Sequence, residues 1–163
     1  MHSGVRGSSL QFEKQRAAAR LHLSNGDIHD GFCFLGALSV LGDGPELISD
    51  VLNAGDGFLP FEVTSPDGSR TTLINPAHIV MVALPNNEAS RDPGHMVARA
   101  QSVSLLLSTG ERVRGEVRVH QPVGHDRLSD WTRQADVFRY IETAGGTFLV
   151  NAAHIVHLSE TEP

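Results

Sequence analysis

A chain of 163 residues and 17.6 kDa has room for one medium domain or two small ones. Its 40% hydrophobic and 20% charged content is that of an ordinary globular protein, and no apolar run approaches the ~20 residues needed to span a bilayer. A net charge of −6 argues against a nucleic-acid binder, which needs clustered Lys and Arg, and a single cysteine, Cys33, excludes an internal disulfide.

The N-terminus has no apolar central region, so no secretory signal is expected and a cytoplasmic protein without membrane contact is the default. Residues 1–19 read as a tail or short helix: the first nine carry no ordering pattern, while Ala17, Ala18 and Ala19 favour a helix over Gln11–Arg20. From residue 20 the pattern is β. "RLHL" runs into the hairpin turn "SNG", and the returning strand carries Gly31, where a glycine inside a strand marks a bend or bulge. "FCFLGALSVL" (Phe32–Leu41) is long for one strand and is read as core with an adhesive edge. "PELISDVLNAG" predicts one helical turn with Ser49 as its cap. "FLPFEV", the turn "SPDGS", "TTLIN", the tight corner "PAH" and "IVMVAL" complete five short strands ending at residue 84.

"PNNEASRDPGHMVARA" (residues 85–100) is rich in turn residues and reads as a linker. Beyond it, residues 101–160 repeat the earlier order. "INPAHIV" (Ile74–Val80) returns as "VNAAHIV" (Val150–Val156), 76 residues on; "ISD" returns as "LSD" (Leu128–Asp130), with Phe58 opposite Phe138 and Glu62 opposite Glu142; "LSNGDIHDG" returns as "LSTGERVRG" (Leu107–Gly115). Three blocks in one order, separated by length changes that fall in turns, indicate an internal duplication. The expected architecture is all-β: two tandem five-stranded barrels, residues 20–84 and 101–160, each with a short helical turn between its second and third strands. Their surfaces differ, with two Arg against eight acids in the first unit and six Arg against seven acids in the second.

The hairpin around a turn glycine with a second glycine five residues on, and the final strand pair broken by a one-turn corner, resemble the Sm-like family of small SH3-like β-barrels. That resemblance covers both units. It implies five-stranded barrels and, in the family at large, a grip on uridine-rich RNA through an Asp-x-apolar-Asn loop and basic residues at the closing corner. Asp50-Val51-Leu52-Asn53 fits the first motif, but in the second unit Asp130 is followed by Arg133. The helical "LSD" segment departs from the usual arrangement, and Asn75-Pro76 and Asn151-Ala152 stand where the basic corner residues belong.

Candidate sites are then few. His78 and His154, at matching places, are either metal ligands or general bases, or corner residues whose ring packs beside the barrel and whose nitrogen bonds a nearby carbonyl, and the corner reading is preferred because both copies carry it. His154 and His157 form an H-x-x-H spacing, with His120, His125 and Asp126 in the same unit; a metal site would need three or more of these to converge. Arg112, Arg114 and Arg118 alternate along one strand and share a face that either meets phosphate or an acidic partner or, the preferred reading, is a solvated face offset by Glu111 and Glu116. Trp131 and Tyr140, the only Trp and Tyr, are equally candidates for interface anchors and for burial beside the helical turn. No nucleophile elbow, Walker loop or zincin motif is present. The expected function is a non-enzymatic binding or scaffolding module working through a protein partner or self-assembly, with no cofactor. The alternative is RNA binding through Arg112, Arg114, Arg118 and Arg133; Asp50, Asn53 and Trp131 are further possible binding residues, and a metal protein or enzyme using His154 and His157 ranks third.

Overall fold

The computed structural model describes residues 14–36, 44–55, 57–91, 94–119 and 128–162. The chain is all-β, and its described residues form ten antiparallel strands in one continuous, unclosed sheet of order β10-β6-β7-β8-β9-β5-β1-β2-β3-β4. β1 (Gln15–Leu23), β2 (Ile28–Leu35), β3 (Leu59–Ser65), β4 (Gly68–Ile74) and β5 (Ile79–Leu84) form one half. β6 (Arg99–Leu107), β7 (Arg112–Val119), β8 (Phe138–Thr143), β9 (Gly146–Asn151) and β10 (Ile155–Glu160) form the other. Short helices α1 (Ile48–Asn53) and α2 (Leu128–Thr132) precede the third strand of each half, and 3-10 turns Pro76–His78 and Ala152–His154 precede the last. No helix among the described residues is long and apolar enough to cross a membrane.

The helix expected over Gln11–Arg20 is a strand in its described part. Ala17 and Ala19 lie opposite Cys33 and Gly31 of β2. Residues two apart share a face, so Ala19 and Leu21 enter the core while Arg16 and Arg20 reach outward to Glu62 and Asp30. A strand flanked by β2 and β5 satisfies its backbone on both sides, and this outweighs alanine's intrinsic preference for helix. The expectations for residues 1–9 lie outside the described residues.

The adhesive edge expected at Phe32–Leu41 is corrected in part. Phe32–Leu35 belong to β2, an interior strand hydrogen-bonded to β1 and β3, and the Cys33 side chain is fully buried. Residues 37–41 lie outside the described residues. Ser49 sits inside α1 and does not cap it. The Leu47 N–H donates to the Asp50 carboxylate at 2.8 Å, and the N–H groups of Ile48 and Ser49 donate to the Glu88 carboxylate at 3.2 and 3.1 Å. Glu88 comes from the stretch read as a linker. That stretch contains a 3-10 turn, Glu88–Arg91, and buries Glu88, Ala89 and His95, while Met96 and Val97 stay exposed.

Two glycines decide how sharply the sheet bends. A Cβ at Gly31 would collide with the Glu62 carbonyl oxygen, and one at Gly115 with the Glu142 carbonyl oxygen. Absence of a side chain lets the second strand of each half cross close over the third. By contrast Gly26 and Gly110 serve the hairpin turns with φ of 92° and 88°, in open space.

The interior divides into two clusters that exchange residues. The first gathers Leu21, Cys33, Ile48, Leu52, Phe61, Ile79 and Val82, and takes Phe138 and Leu149 from the second half. The second gathers Val103, Leu105, Leu107, Val117, Trp131 and Ile141, and takes Val80 and Met81 from the first half.

Because the obstruction at both glycine crossings is backbone, Gly31→Ala and Gly115→Ala should each lower stability by about 1–3 kcal/mol, the usual scale of overpacking. Urea unfolding checks this; midpoints within error of the parent would show that the crossings tolerate a side chain.

Candidate functional site

The two halves meet where β5 pairs with β9. Met81, Val82, Ala83 and Leu84 lie opposite Val150, Leu149, Phe148 and Thr147. Side chains close this seam at both ends. Asn151 donates from Nδ2 to the Ile79 carbonyl at 2.9 Å while its Oδ1 accepts from Ala153 N. Asn53, at the end of α1, brackets the Phe138 backbone: Nδ2 donates to its carbonyl at 3.0 Å and Oδ1 accepts from its N–H at 2.8 Å. Tyr140 of β8 reaches Glu88 Oε1 at 2.8 Å and Ser49 Oγ at 2.7 Å. Its single proton goes to the carboxylate, which leaves the Ser49 hydroxyl to donate to the phenol oxygen. Glu88 thereby ties α1, the connecting segment and the second half together.

The matching histidines are braces. Ser24 Oγ lies 2.8 Å from His78 Nδ1 and Ser24 N donates to the His78 carbonyl at 2.8 Å; Ser108 and His154 repeat both contacts at 2.7 and 2.8 Å. His154 also extends Nε2 to the Ala77 carbonyl at 2.6 Å, across the seam. An acceptor carbonyl there fixes the proton on Nε2, so Nδ1 accepts from the serine. His154 therefore has both nitrogens engaged, while His157 lies exposed on β10. His120, His125 and Asp126 fall outside the described residues. Among the described residues no three His, Cys, Asp or Glu side chains converge as metal ligands would.

The remaining sequence candidates are dispersed. Arg112 and Arg114 are exposed on one face of β7, with Arg112 Nη1 3.5 Å from Ser104 Oγ. Arg118 is half-buried, donating to the His95 carbonyl at 3.3 Å and lying 3.6 Å from Glu142, which His95 Nε2 contacts at 2.6 Å. Arg133 is exposed just past α2. Asp50 and Asn53 are engaged in the backbone contacts given above, and Trp131 is buried in the second core at 2% exposure. Arg139, which nothing in its surroundings marked out, is a buried structural cation. It stacks 5.2 Å from the Trp131 ring and donates to the carbonyls of Trp131, Gln134 and Asp136. Its pKa is lowered by burial and partly restored by the Asp136 charge.

What the fold leaves unsatisfied is its two ends. β4 and β10 have no outer strand among the described residues. The contrast with the seam is quantitative at three matching positions. Leu149 in β9 is 0% exposed, and Leu73 in β4 is 63% exposed; Val80 in β5 is 1% exposed, and Val156 in β10 is 61%. Phe138 is 3% exposed under α1, and Phe58 is 58%. Set against known protein families, curated proteins and solved structures, the chain matches none.

Removing the Asn53 side chain unpairs a buried N–H and carbonyl, so Asn53→Ala should cost about 1–3 kcal/mol in urea unfolding; a neutral result would mean the bracket is dispensable. Two buried groups make stability sensitive to alkali. Burial, with the Glu88 charge adding to it, pushes the Cys33 thiol from 9.0 up to about 12. Burial and the same charge raise the Tyr140 phenol well above its ordinary 10.0. Both groups fold as neutral species, so their contribution is complete below those ordinary values and is lost as pH rises above them. Urea midpoints should hold level to about pH 9 and then fall, and Tyr140→Phe should remove the part of the decline that begins near 10. Phenolate absorbance of the folded chain rising at the ordinary value would contradict this.

Proposed function

We propose that this protein is a non-enzymatic binding and scaffolding module made of two tandem five-stranded units of the Sm/SH3-like barrel type, related by internal duplication, which works by accepting further β-strands at its open edges. The repeated element order, the twice-built Ser–His corner and the glycine crossing in each half support the duplicated-barrel description. The observation that carries the function is the exposure of Leu73, Val156 and Phe58 beside strands that have no outer neighbour among the described residues, where their counterparts in the seam are buried. An unpaired edge offers a row of backbone donors and acceptors, and an added strand gains hydrogen bonds along its length while side-chain positions give selectivity.

An RNA-binding role would rest on Arg112 and Arg114, the two exposed cations that share the β7 face, and would show as salt-dependent binding of single-stranded RNA. The chain's net charge of −6 and the structural commitments of Asp50, Asn53 and Arg118 favour the strand-pairing role instead.

Capture experiments with the immobilised chain, from an extract of its own source that also contains the untagged chain, test the role. Proteins retained by the parent should be lost with a Leu73→Lys, Val156→Lys double variant of unchanged circular dichroism. Equal retention by both, or retention by neither, refutes it.

A further inference from the structure

We infer that the first half carries a small-molecule site, separate from the strand edges: a cleft that takes an aromatic cation, a planar ring bearing an amine. The cleft has a volume of about 620 Å³ and lies among α1, the end of β2, the start of β3 and the corner at Asn75, Pro76 and Ala77. Small-molecule sites fall in a range of roughly 300–1,000 Å³ and combine an apolar lining with a few polar groups. Here Phe34, Val51, Phe58 and Leu59 supply apolar walls, and Glu46 and Lys14 are the charged residues among those described as lining it.

The second half shows what such a place holds when the chain fills it. The repeat that sets Phe58 opposite Phe138 also sets Val51 opposite Trp131 and Leu59 opposite Arg139. Trp131 and Arg139 are both buried, the guanidinium lies 5.2 Å from the indole ring, and it donates to the carbonyls of Trp131, Gln134 and Asp136. Val51 has no ring and Leu59 has no donor. What the first half lacks is therefore one planar ring and one cation, side by side. The carbonyls of Val51 and Ala54 match those of Trp131 and Gln134, and both residues line the cleft.

Electrostatics select the sign of the ligand. Glu46 accepts from the Gly36 N–H on Oε1 at 2.9 Å, which leaves Oε2 as an acceptor for an ammonium group. Residues 20–84 carry two Arg against eight acids, so the field of this half favours a cation. Lys14 is exposed, and an anion drawn to it would have to face Glu46. Phe34 and Phe58 offer ring faces, which both stack with an aromatic ligand and attract its positive charge.

The test titrates the full chain with tryptamine, and with indole-3-propionate as the same ring carrying the opposite charge, followed by calorimetry and by amide chemical shifts. One tryptamine should bind per chain, with shifts centred on Phe34, Val51 and Phe58, and indole-3-propionate should bind at least about tenfold more weakly. Glu46→Gln keeps an oxygen for the Gly36 N–H and removes the charge, so it should weaken tryptamine about tenfold. Val51→Trp, which supplies the ring from the chain itself, should abolish binding; if that variant does not fold, the Glu46→Gln comparison still decides. Uridine, a neutral ring without an amine, should not compete. No binding of tryptamine overturns the inference, as do equal binding of the two indoles, shifts centred elsewhere, indifference to Glu46→Gln, or competition by uridine. The Leu73→Lys, Val156→Lys double variant should bind tryptamine as the parent does, so the cleft and the edge-pairing role stand or fall separately; loss of binding in that folded variant would also overturn the inference of a separate site.

Discussion

Everything in this molecule turns on the four-residue pairing of β5 with β9. Without it the described residues would form two small sheets with four raw edges; with it they form one sheet with two. The pairing does more than satisfy backbone groups. It lets Val80 and Met81 complete one core and Phe138 and Leu149 complete the other, and burying a side chain of that size contributes about 1.5–3 kcal/mol. Asn53, Asn151, His154 and Tyr140 then fasten the pairing with hydrogen bonds, of which that of Asn151 is buried.

Against that arrangement, the two histidines of the repeated heptapeptide have a common job and a divergent one. Both lock a tight corner to the serine of the facing hairpin through Nδ1. Among the described residues, only His154 has a carbonyl across a seam for Nε2. The same sequence element thus reports its own surroundings: where the neighbouring unit is present the ring bridges, and at His78 no described residue takes up Nε2.

Strand periodicity, turn glycines and the recurrence of the corner motif made the all-β class and the ten strands readable before any coordinates. Alanines 17–19 misled because helix propensity is a local preference, whereas β1 is held by neighbours on both sides. The packed connector escaped notice for a related reason. Composition marks Pro85–Ala100 as turn-rich, but only tertiary contact turns Glu88 into the helix cap and phenol acceptor, and His95 into the partner of Glu142. Arginine spacing on β7 was legible, while the capture of Arg118 by Glu142 and the burial of Trp131 depended on which elements fold over them. Alternating polarity tells which way a strand faces. It carries no information on which strand lies beside it, so the seam had no signature of its own.

The glue between the halves is also distant along the chain, since Met81 pairs with Val150 and Leu84 with Thr147. During synthesis the outer side of β5 emerges with its apolar residues uncovered, and β9 follows only after some seventy further residues, roughly 4–14 s at typical ribosomal speeds. For those seconds the nascent first half is a template for any extended segment nearby, including another nascent copy. Polysomes translating this message would therefore hold their growing products in a state more adhesive than the finished protein.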